Sequence, residues 1–419
     1  MWSTLTPVRR RGLLSVGVAA LVLAVCGAGG AREVTSPLSG TASTPAAVAS
    51  SAPTPLPSPA ATPTPTPTPE PVPREFTIVA TGDVLLHERL WVQAQRDADP
   101  TGDWDFAPQL AGIKPVVAAA DLAICHLETP LAPRDGPYEG YPVFSSPPQI
   151  VPALVEIGYT ACTTASNHTF DRGGAGVDRT LDYLDEAGLA HAGSARTEAE
   201  AAEPTLIEVE TDAGPVTVGL LSHTYGFNGI PYPDGETWRA NVIDENAILA
   251  EAAAARAAGA QFVVLALHWG DEYQHDPNPQ QLELAPRLIK SPDIDLILGH
   301  HAHVVQPLEN FDGEWVVYGM GNLMAAHRTP GEPQNEGLLV RFTVTENAET
   351  GRFTTTAAEY LPLLQTDAMP VSVVNVSAAL EGGDPGTATA ARIDKAMDRT
   401  TEVVGRRDAF EHGLRLIED

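Results

Sequence analysis

Five short apolar runs along the chain have the composition of buried β-strands. They lie in the segments TIVATGD, DLAICHLE, YTACTTASNH, QFVVLALHWGDE and LILGHHAHVVQP. Helical segments separate them, for example Gly176 to Gly188 and Glu245 to Gly259, and each of these ends at a glycine, which suits a helix stop. Strands that alternate with helices predict an α/β fold, in which a parallel sheet is flanked by helices on both faces.

Each apolar run is followed by a side chain that can bind a metal ion. Because the carboxyl ends of parallel strands form the ligand crevice of such a sheet, we expect these side chains to meet at one edge. Carboxylates, an amide and imidazoles together suit a borderline divalent ion such as Mn, Fe, Zn or Co. Six ligands exceed the needs of one tetrahedral ion, so the pattern predicts two ions. The predicted ligands are Asp83, Glu128, Asn167, His268, His301 and His303.

Catalysis is expected from Asp83 and from His168, which follows a predicted ligand and is placed to protonate a leaving group. The alternative for the histidines is structural. A histidine in a protein core is often a satisfied hydrogen-bonding group with no ligand.

The order of motifs resembles that of a known family. The segments GDVLL, HLETPL, GYPVFSSPP, SNHTFDRGGAGVDRTLDYL, HWGDEY, GHHAHVVQP and YGMGNL follow one another within residues 76–365. They are similar to those of the CapA family, the poly-γ-glutamate capsule-synthesis proteins. This resemblance implies a layered α/β fold like that of the calcineurin-like metallophosphatases. It also implies the six metal ligands above, the acid His168, and residues that contact the substrate or support the ligands, namely His126, Asp171, Tyr225, Asn228, His300 and Asn322.

Several positions depart from the expected patterns, among them Ser166, where the family usually has a second Asn, and Leu323, where an aromatic residue is common. His126 stands where the family usually has Asn, and it shares a strand face with Glu128, so it is either an additional ligand, a support for a ligand, or a hydrogen-bonding spacer. Leu85 stands where calcineurin-like phosphatases commonly have a histidine two residues after the aspartate, so one of the two ions is expected to be weakly held or absent.

The first 74 residues of the chain predict a tethered, exported protein. Residues 1–31 resemble a signal peptide, with arginines before the apolar run Leu13 to Val25 and a lipoprotein-like Cys26. Residues 32–74 are a Pro/Ser/Thr-rich linker that cannot form a core. We expect a lipid anchor at the extracellular face of the cell membrane. Free secretion and an uncleaved anchor are the alternatives.

The remaining boundaries are a CapA-like domain over residues 75–368 and a helical tail over residues 369–419. Helices are predicted in the tail at residues 386–402 and from Asp408 to Ile417. Cys125 and Cys162 lie within predicted strands, and buried thiols are favoured over a disulfide because strand interiors seldom suit one.

The net charge of −29 makes nucleic acid an unsuitable partner. The acidic excess is interpreted mainly as a solubility feature of an exported protein. The predicted function is metal-dependent hydrolysis of a phosphoester or related bond in the cell envelope. Two alternatives are a non-catalytic accessory that binds or transports an anionic polymer such as poly-γ-glutamate with capsule-synthesis membrane proteins, and a tethered binding protein without turnover.

Overall fold

A computed structural model describes residues 72–98, 102–326 and 332–418. The predicted signal peptide, Cys26 and nearly all of the predicted linker lie outside these residues. Among the described helices, none has both the length and the apolar character needed to cross a bilayer.

Fifteen strands and ten α-helices are described. The strands are β1 (Glu75–Leu85), β2 (Leu122–Leu127), β3 (Ala161–Thr163), β4 (Ala190–Ala192), β5 (Thr205–Val209), β6 (Val216–Thr224), β7 (Phe262–His268), β8 (Leu296–His300), β9 (Leu308–Phe311), β10 (Glu314–Val317), β11 (Asn322–Ala325), β12 (Glu336–Glu346), β13 (Phe353–Gln365), β14 (Val373–Asn375) and β15 (Arg415–Leu416). The helices are α1 (Glu88–Arg96), α2 (Ala107–Leu110), α3 (Lys114–Val117), α4 (Ile150–Ile157), α5 (Gly173–Glu186), α6 (Glu198–Ala201), α7 (Glu245–Ala257), α8 (Pro279–Ile289), α9 (Val376–Leu380) and α10 (Ala390–Val404).

These strands form two sheets. The first has the order β14-β13-β12-β1-β2-β3-β4, with β11 beside β1 and β15 beside β13, and the second has the order β5-β6-β7-β8-β10-β9. Strands β1 to β4 are parallel, as are β6, β7, β8 and β10. The prediction of one parallel sheet was therefore wrong in this respect, because β7 and β8 belong to a different sheet from β1, β2 and β3.

The two sheets pack face to face through an apolar layer. The Phe76 ring of β1 lies edge-on to Phe262 of β7, with centroids 6.0 Å apart. A second apolar layer lies between the first sheet and helices that include α4 and α5, and a third lies between the second sheet and helices α7 and α8. Strand β7 is buried at all seven positions because both of its faces are covered. The predicted class, a layered α/β fold with helices flanking the sheets, is confirmed.

The predicted helices of the core are present as α5 and α7, and α7 is capped by the preceding residue, Asp244, whose side chain accepts a hydrogen bond from the Ala247 backbone N–H. In the tail, α10 matches the first predicted helix. The second prediction was wrong, since residues 408–414 form turns and the chain then adds strand β15 to the edge of β13. Leu414 and Ile417 are buried against the core on either side of β15.

The prediction of buried thiols was also wrong, because Cys125 and Cys162 form a disulfide. The two residues are direct register partners on the parallel neighbours β2 and β3, and their Cα atoms are 4.5 Å apart. Adjacent strands in this register present both side chains on one face of the sheet, within reach of each other.

Candidate metal centre

All six predicted ligands lie at the edge where the parallel strands of both sheets end. Asp83 and Glu128 come from the ends of β1 and β2, and Asn167 comes from the loop after β3. The three histidines come from the ends of β7 and β8 in the other sheet. Hydrogen bonds of 3.0 Å between His268 Nε2 and Asn167 Oδ1, and of 3.2 Å between the His301 backbone N–H and Asp83 Oδ2, join the two sheets here.

Asp83, Glu128 and His303 form one group of candidate ligands, here called the first ligand group. His303 Nδ1 lies 3.2 Å from Asp83 Oδ2, and its Nε2 lies 3.8 Å from Glu128 Oε1. Asn322 orients this ring, because its Oδ1 accepts from His303 Nδ1 at 2.9 Å. The Asn322 amide in turn donates to the carbonyl oxygens of His303 and Gln334, which fixes which end of the amide faces the histidine.

Glu128, Asn167, His268 and His301 lie close together and are here called the second ligand group. His268 Nε2 lies 3.9 Å from Glu128 Oε1, and the rings of His268 and His301 are 4.7 Å apart between centroids. His301 Nδ1 is buried without a hydrogen-bond partner in the described part of the chain. Glu128 therefore belongs to both groups.

Backbone conformation after β8 brings the two histidines into these groups. His301 and His303 have φ values of +87° and +53°, in the left-handed region that non-glycine residues adopt rarely and that is concentrated at functional sites. Gly299 precedes them and packs so closely on the residue that follows β10 that a Cβ there would meet the Tyr318 carbonyl oxygen at 1.9 Å. A larger residue at position 299 would therefore displace the end of β8.

Both carboxylate oxygens of Glu128 are buried, and neither has a hydrogen-bond partner among the described residues. Burial raises the pKa of this carboxyl to about 7. Two ligand atoms each about 2.0–2.2 Å from one ion lie about 3–4 Å apart, which is the spacing of Glu128 Oε1 from the two histidine Nε2 atoms. The residues present therefore fit divalent ions, with Glu128 shared between the two groups.

The charges of the histidines differ across the site. Burial lowers the pKa of His301 to about 3, so this ring is neutral and able to bind a metal. Burial also opposes the charge on His303, but the Glu128 and Asp83 carboxylates outweigh it and raise the pKa of His303 to about 9. Asp83 is buried as well, yet its hydrogen bonds with His300 and His303 hold its pKa well below the usual value.

The predicted supporting residues lie around the two groups. His300 Nδ1 donates to Asp83 Oδ1 at 2.9 Å, which leaves His300 as a support for a ligand. His126 bonds His268 Nδ1 at 2.9 Å, and both of its ring nitrogens are engaged in hydrogen bonds, as expected of a support for a ligand. With Asp83 and His300 it also lies in a set of side chains that could hold an ion.

His168 lies beside the second ligand group with only 8% of its side chain exposed. Its Nδ1 donates to Asp171 Oδ2 at 2.7 Å, and the same oxygen accepts from the Phe144 backbone N–H at 2.7 Å. This arrangement fixes the ring through its Nδ1 atom.

Tyr225 and Asn228 lie where the site opens to solvent, here called the mouth. Tyr225 is 43% exposed, and its ring centroid lies 4.5 Å from that of His301. Asn228 accepts hydrogen bonds from the Tyr225 hydroxyl at 3.2 Å and from the Asn167 amide at 3.4 Å. These two residues therefore connect the surface to a predicted ligand.

Two residues near the site were missed in the sequence. Glu272 is exposed, and its carboxylate can form another candidate ligand set with His301 and His303. Its signal was its position in the HWGDEY segment, directly after the strand that delivers His268. Thr163, whose hydroxyl bonds His126 Nδ1 at 2.8 Å, gave no signal, because a threonine in a strand is ordinary.

Two solved structures have a similar arrangement of elements. The calcineurin-like phosphoesterase YfkN from Bacillus subtilis is 13% identical, with a TM-score of 0.41 over 79% of this chain and 98% of that chain. The putative 5'-nucleotidase from Staphylococcus aureus is 14% identical, with a TM-score of 0.42 over 77% of this chain and 58% of that chain. Likenesses this distant carry no information about activity.

Curated relatives are similar over part of their length. The PGA biosynthesis protein CapA of Bacillus subtilis (strain 168) is 29% identical over 49% of this chain and 52% of that protein. The capsule biosynthesis protein CapA of Bacillus anthracis is 28% identical over 43% of each. A probable polyglutamine synthesis accessory protein of Mycobacterium tuberculosis is 26% identical over 64% of this chain and 72% of that protein. The chain thus spans about half the length of the two Bacillus relatives.

The family model described as bacterial capsule synthesis protein PGA_cap matches residues 77–327, which is more than half of the chain. This range contains every member of both ligand groups. The CapA resemblance is therefore confirmed, and this chain belongs to the family of bacterial capsule synthesis proteins described as PGA_cap.

Proposed function

We propose that this protein is an exported, metal-dependent hydrolase of the cell envelope that cleaves a phosphoester or a related bond. The observation that supports this most directly is the buried Glu128 carboxylate, whose two oxygens have no hydrogen-bond partner among the described residues and of which Oε1 lies 3.8 Å from His303 Nε2 and 3.9 Å from His268 Nε2. A buried carboxylate without partners is costly unless it has a function such as metal binding.

Two divalent ions of the Mn, Fe or Zn class, held by the first and second ligand groups, would supply Lewis-acid polarisation of the substrate and a more acidic water. The side chains of this protein have separate roles. Asp171 holds the His168 ring by its Nδ1 atom, so that Nε2 can deliver a proton to the leaving group. Tyr225 and Asn228 are placed to contact the substrate at the mouth.

The substrate we propose is an anionic polymer of the cell envelope, with poly-γ-glutamate as the first candidate. Support comes from the names of the relatives, which refer to capsule or PGA biosynthesis and polyglutamine synthesis. We further propose that the protein is held at the extracellular face of the membrane by a lipid on Cys26 and acts with capsule-synthesis membrane proteins. The Cys125–Cys162 disulfide supports an oxidising compartment. Mass spectrometry of the mature N-terminal peptide tests the anchor, since an unmodified start near Ala31 would rule the lipid out.

A hydrolysis assay tests the enzymatic proposal. The protein is stripped with EDTA, loaded with Mn, Fe or Zn, and assayed on an aryl phosphate and an aryl phosphodiester. Activity that is lost in both His268→Ala and His301→Ala supports the proposal. His223→Ala is the matched control, because His223 is a buried histidine outside both ligand groups that bonds Glu251 and the Val242 carbonyl.

A second candidate function, non-catalytic polymer binding or transport, is favoured by Leu85. This residue stands two positions after Asp83, where calcineurin-like phosphatases commonly have a histidine, and it is buried against Phe144 and Ala325. Polymer binding without turnover under any of the three metals would support this candidate over hydrolysis.

A further inference from the structure

Both ring nitrogens of His126 make short hydrogen bonds to neighbouring side chains. Nε2 lies 2.9 Å from His268 Nδ1, and Nδ1 lies 2.8 Å from the Thr163 hydroxyl. The ring is buried and stacked on His300, with centroids 4.0 Å apart. His126 is therefore held in one orientation, between a predicted metal ligand and a threonine.

These contacts belong to a chain of four links that ends in an acceptor at both sides. At one end, the Thr163 hydroxyl lies 3.4 Å from the Cys125 carbonyl oxygen, which can only accept a hydrogen bond. At the other end, His268 Nε2 lies 3.0 Å from Asn167 Oδ1, which also can only accept. The chain thus runs from Cys125 through Thr163, His126 and His268 to Asn167.

Counting hydrogens restricts the possible arrangements. Thr163 and the two neutral rings each contribute one hydrogen, so three hydrogens serve four links, and one link is without a hydrogen. Any bare link sets lone pairs against each other, which is most costly in the three contacts of 2.8, 2.9 and 3.0 Å and least costly in the longest contact. The longest contact, 3.4 Å, is at the Cys125 end, which matches both rings protonated on Nε2.

We propose that His126 is a positioning residue that sets the tautomer of His268 through Thr163, an inference that rests on the proposed metal centre. For His268 to bind an ion through Nε2, its hydrogen must be on Nδ1 and must have an acceptor. His126 Nε2 provides that acceptor only when the His126 hydrogen is on Nδ1. That hydrogen is then accepted by Thr163, whose own hydrogen turns to the Cys125 carbonyl.

The two arrangements contain the same three hydrogens. On metal loading, each ring's hydrogen moves from Nε2 to Nδ1, and the Thr163 hydroxyl rotates from His126 Nδ1 to the Cys125 carbonyl oxygen. The net charge of the chain is unchanged. Ligand histidines usually donate their second N–H to a carbonyl or carboxylate, whereas here the acceptor is an imidazole with a tautomer of its own.

Nuclear magnetic resonance of the full chain labelled with ¹⁵N tests this directly. Long-range ¹H–¹⁵N correlation spectra, recorded after EDTA treatment and after loading with Zn²⁺, report the tautomer of each ring. We expect both rings to be protonated on Nε2 without the metal and on Nδ1 with it. A His126 ring that keeps one tautomer while His268 changes would overturn the inference.

A pair of variants provides a second test. Thr163→Val removes the hydroxyl, and we expect Zn²⁺ affinity to fall about 10–100-fold, whereas Thr163→Ser keeps it. Thr180→Val is the control for loss of a buried, hydrogen-bonded hydroxyl outside the site, and should leave affinity unchanged. Equal affinity in the Val and Ser variants would overturn the inference.

Failure of this inference is distinct from failure of the proposed function. If Zn²⁺ binds and changes only His268, the metal centre stands and the role of His126 falls. If Zn²⁺ leaves the His268 signals of the unmodified chain unchanged, the proposed metal centre itself falls and this inference falls with it.

Discussion

Replacing Glu128 by Gln should stabilise the metal-free protein and remove its response to metal. Glutamine has nearly the same shape but no charge, so the variant isolates the cost of ionising a buried carboxyl. The pKa of the Glu128 carboxyl rises from 4.5 to about 7 on folding, chiefly because of burial. The change corresponds to about 3 kcal/mol in the free energy of unfolding.

The direction of this pH dependence follows from which state, folded or unfolded, releases the Glu128 proton at lower pH. The folded-state pKa is above the unfolded value, so between pH 4.5 and about 7 the unfolded chain loses the Glu128 proton more readily than the folded one. The metal-free wild type therefore loses stability across this range, and the loss is complete above about pH 7. Glu128→Gln escapes that loss, so its advantage grows from near zero at pH 4.5 to about 3 kcal/mol at pH 8.

Urea denaturation in EDTA, followed by circular dichroism from pH 4.5 to pH 8, measures this difference. Glu208→Gln, at an exposed position of β5, is the control for loss of a carboxylate. With Mn²⁺ at 1,000 times its dissociation constant the order should reverse even at pH 8, because the wild type gains about 4.1 kcal/mol and the variant does not. A stability difference that does not change with pH, or an equal gain of both proteins from Mn²⁺, would refute the reasoning.

Three other predictions follow from the site. His268→Ala and His301→Ala should each lower the metal content per chain, measured by elemental analysis, because each removes a ligand of the second group; unchanged content would exclude that residue as a ligand. His168→Gln should lower kcat for the aryl phosphate about 10²–10⁴-fold with little change in KM, in steady-state assays at saturating metal; an unchanged kcat would remove the general acid. Exchange of Cys125 and Cys162 for Ala should lower the free energy of unfolding by about 2–5 kcal/mol, through loss of a link across 37 residues of sequence; unfolding in urea without any loss would show that the link is not formed.

The sequence predicted which side chains meet at one edge better than it predicted how the strands divide between two sheets. Asp83, His268 and His303 could be found because each follows an apolar strand, and parallel strands bring their carboxyl ends together. The division into two sheets could not be found, because the apolar pattern of β7 shows that both faces are covered but does not identify the neighbouring strands.

Contacts between particular pairs of residues were the other feature that could not be predicted from the sequence. The disulfide between Cys125 and Cys162 depends on the register of β2 against β3, which no local pattern encodes. The link from His126 through Thr163 depends on the same register, since these two residues are also direct partners. Glu272 was missed for a different reason, because it comes from a turn beyond the strand end that supplies His268.

Anomalous diffraction from crystals of the Mn-loaded protein, recorded at the Mn edge, tests the metal centre most directly. We predict two peaks that share Glu128, one also within reach of Asp83 and His303 and the other within reach of Asn167, His268 and His301. Crystals that diffract well but show no peak beside Glu128 at saturating Mn²⁺ would contradict the metal centre and leave the site as a buried hydrogen-bonded cluster.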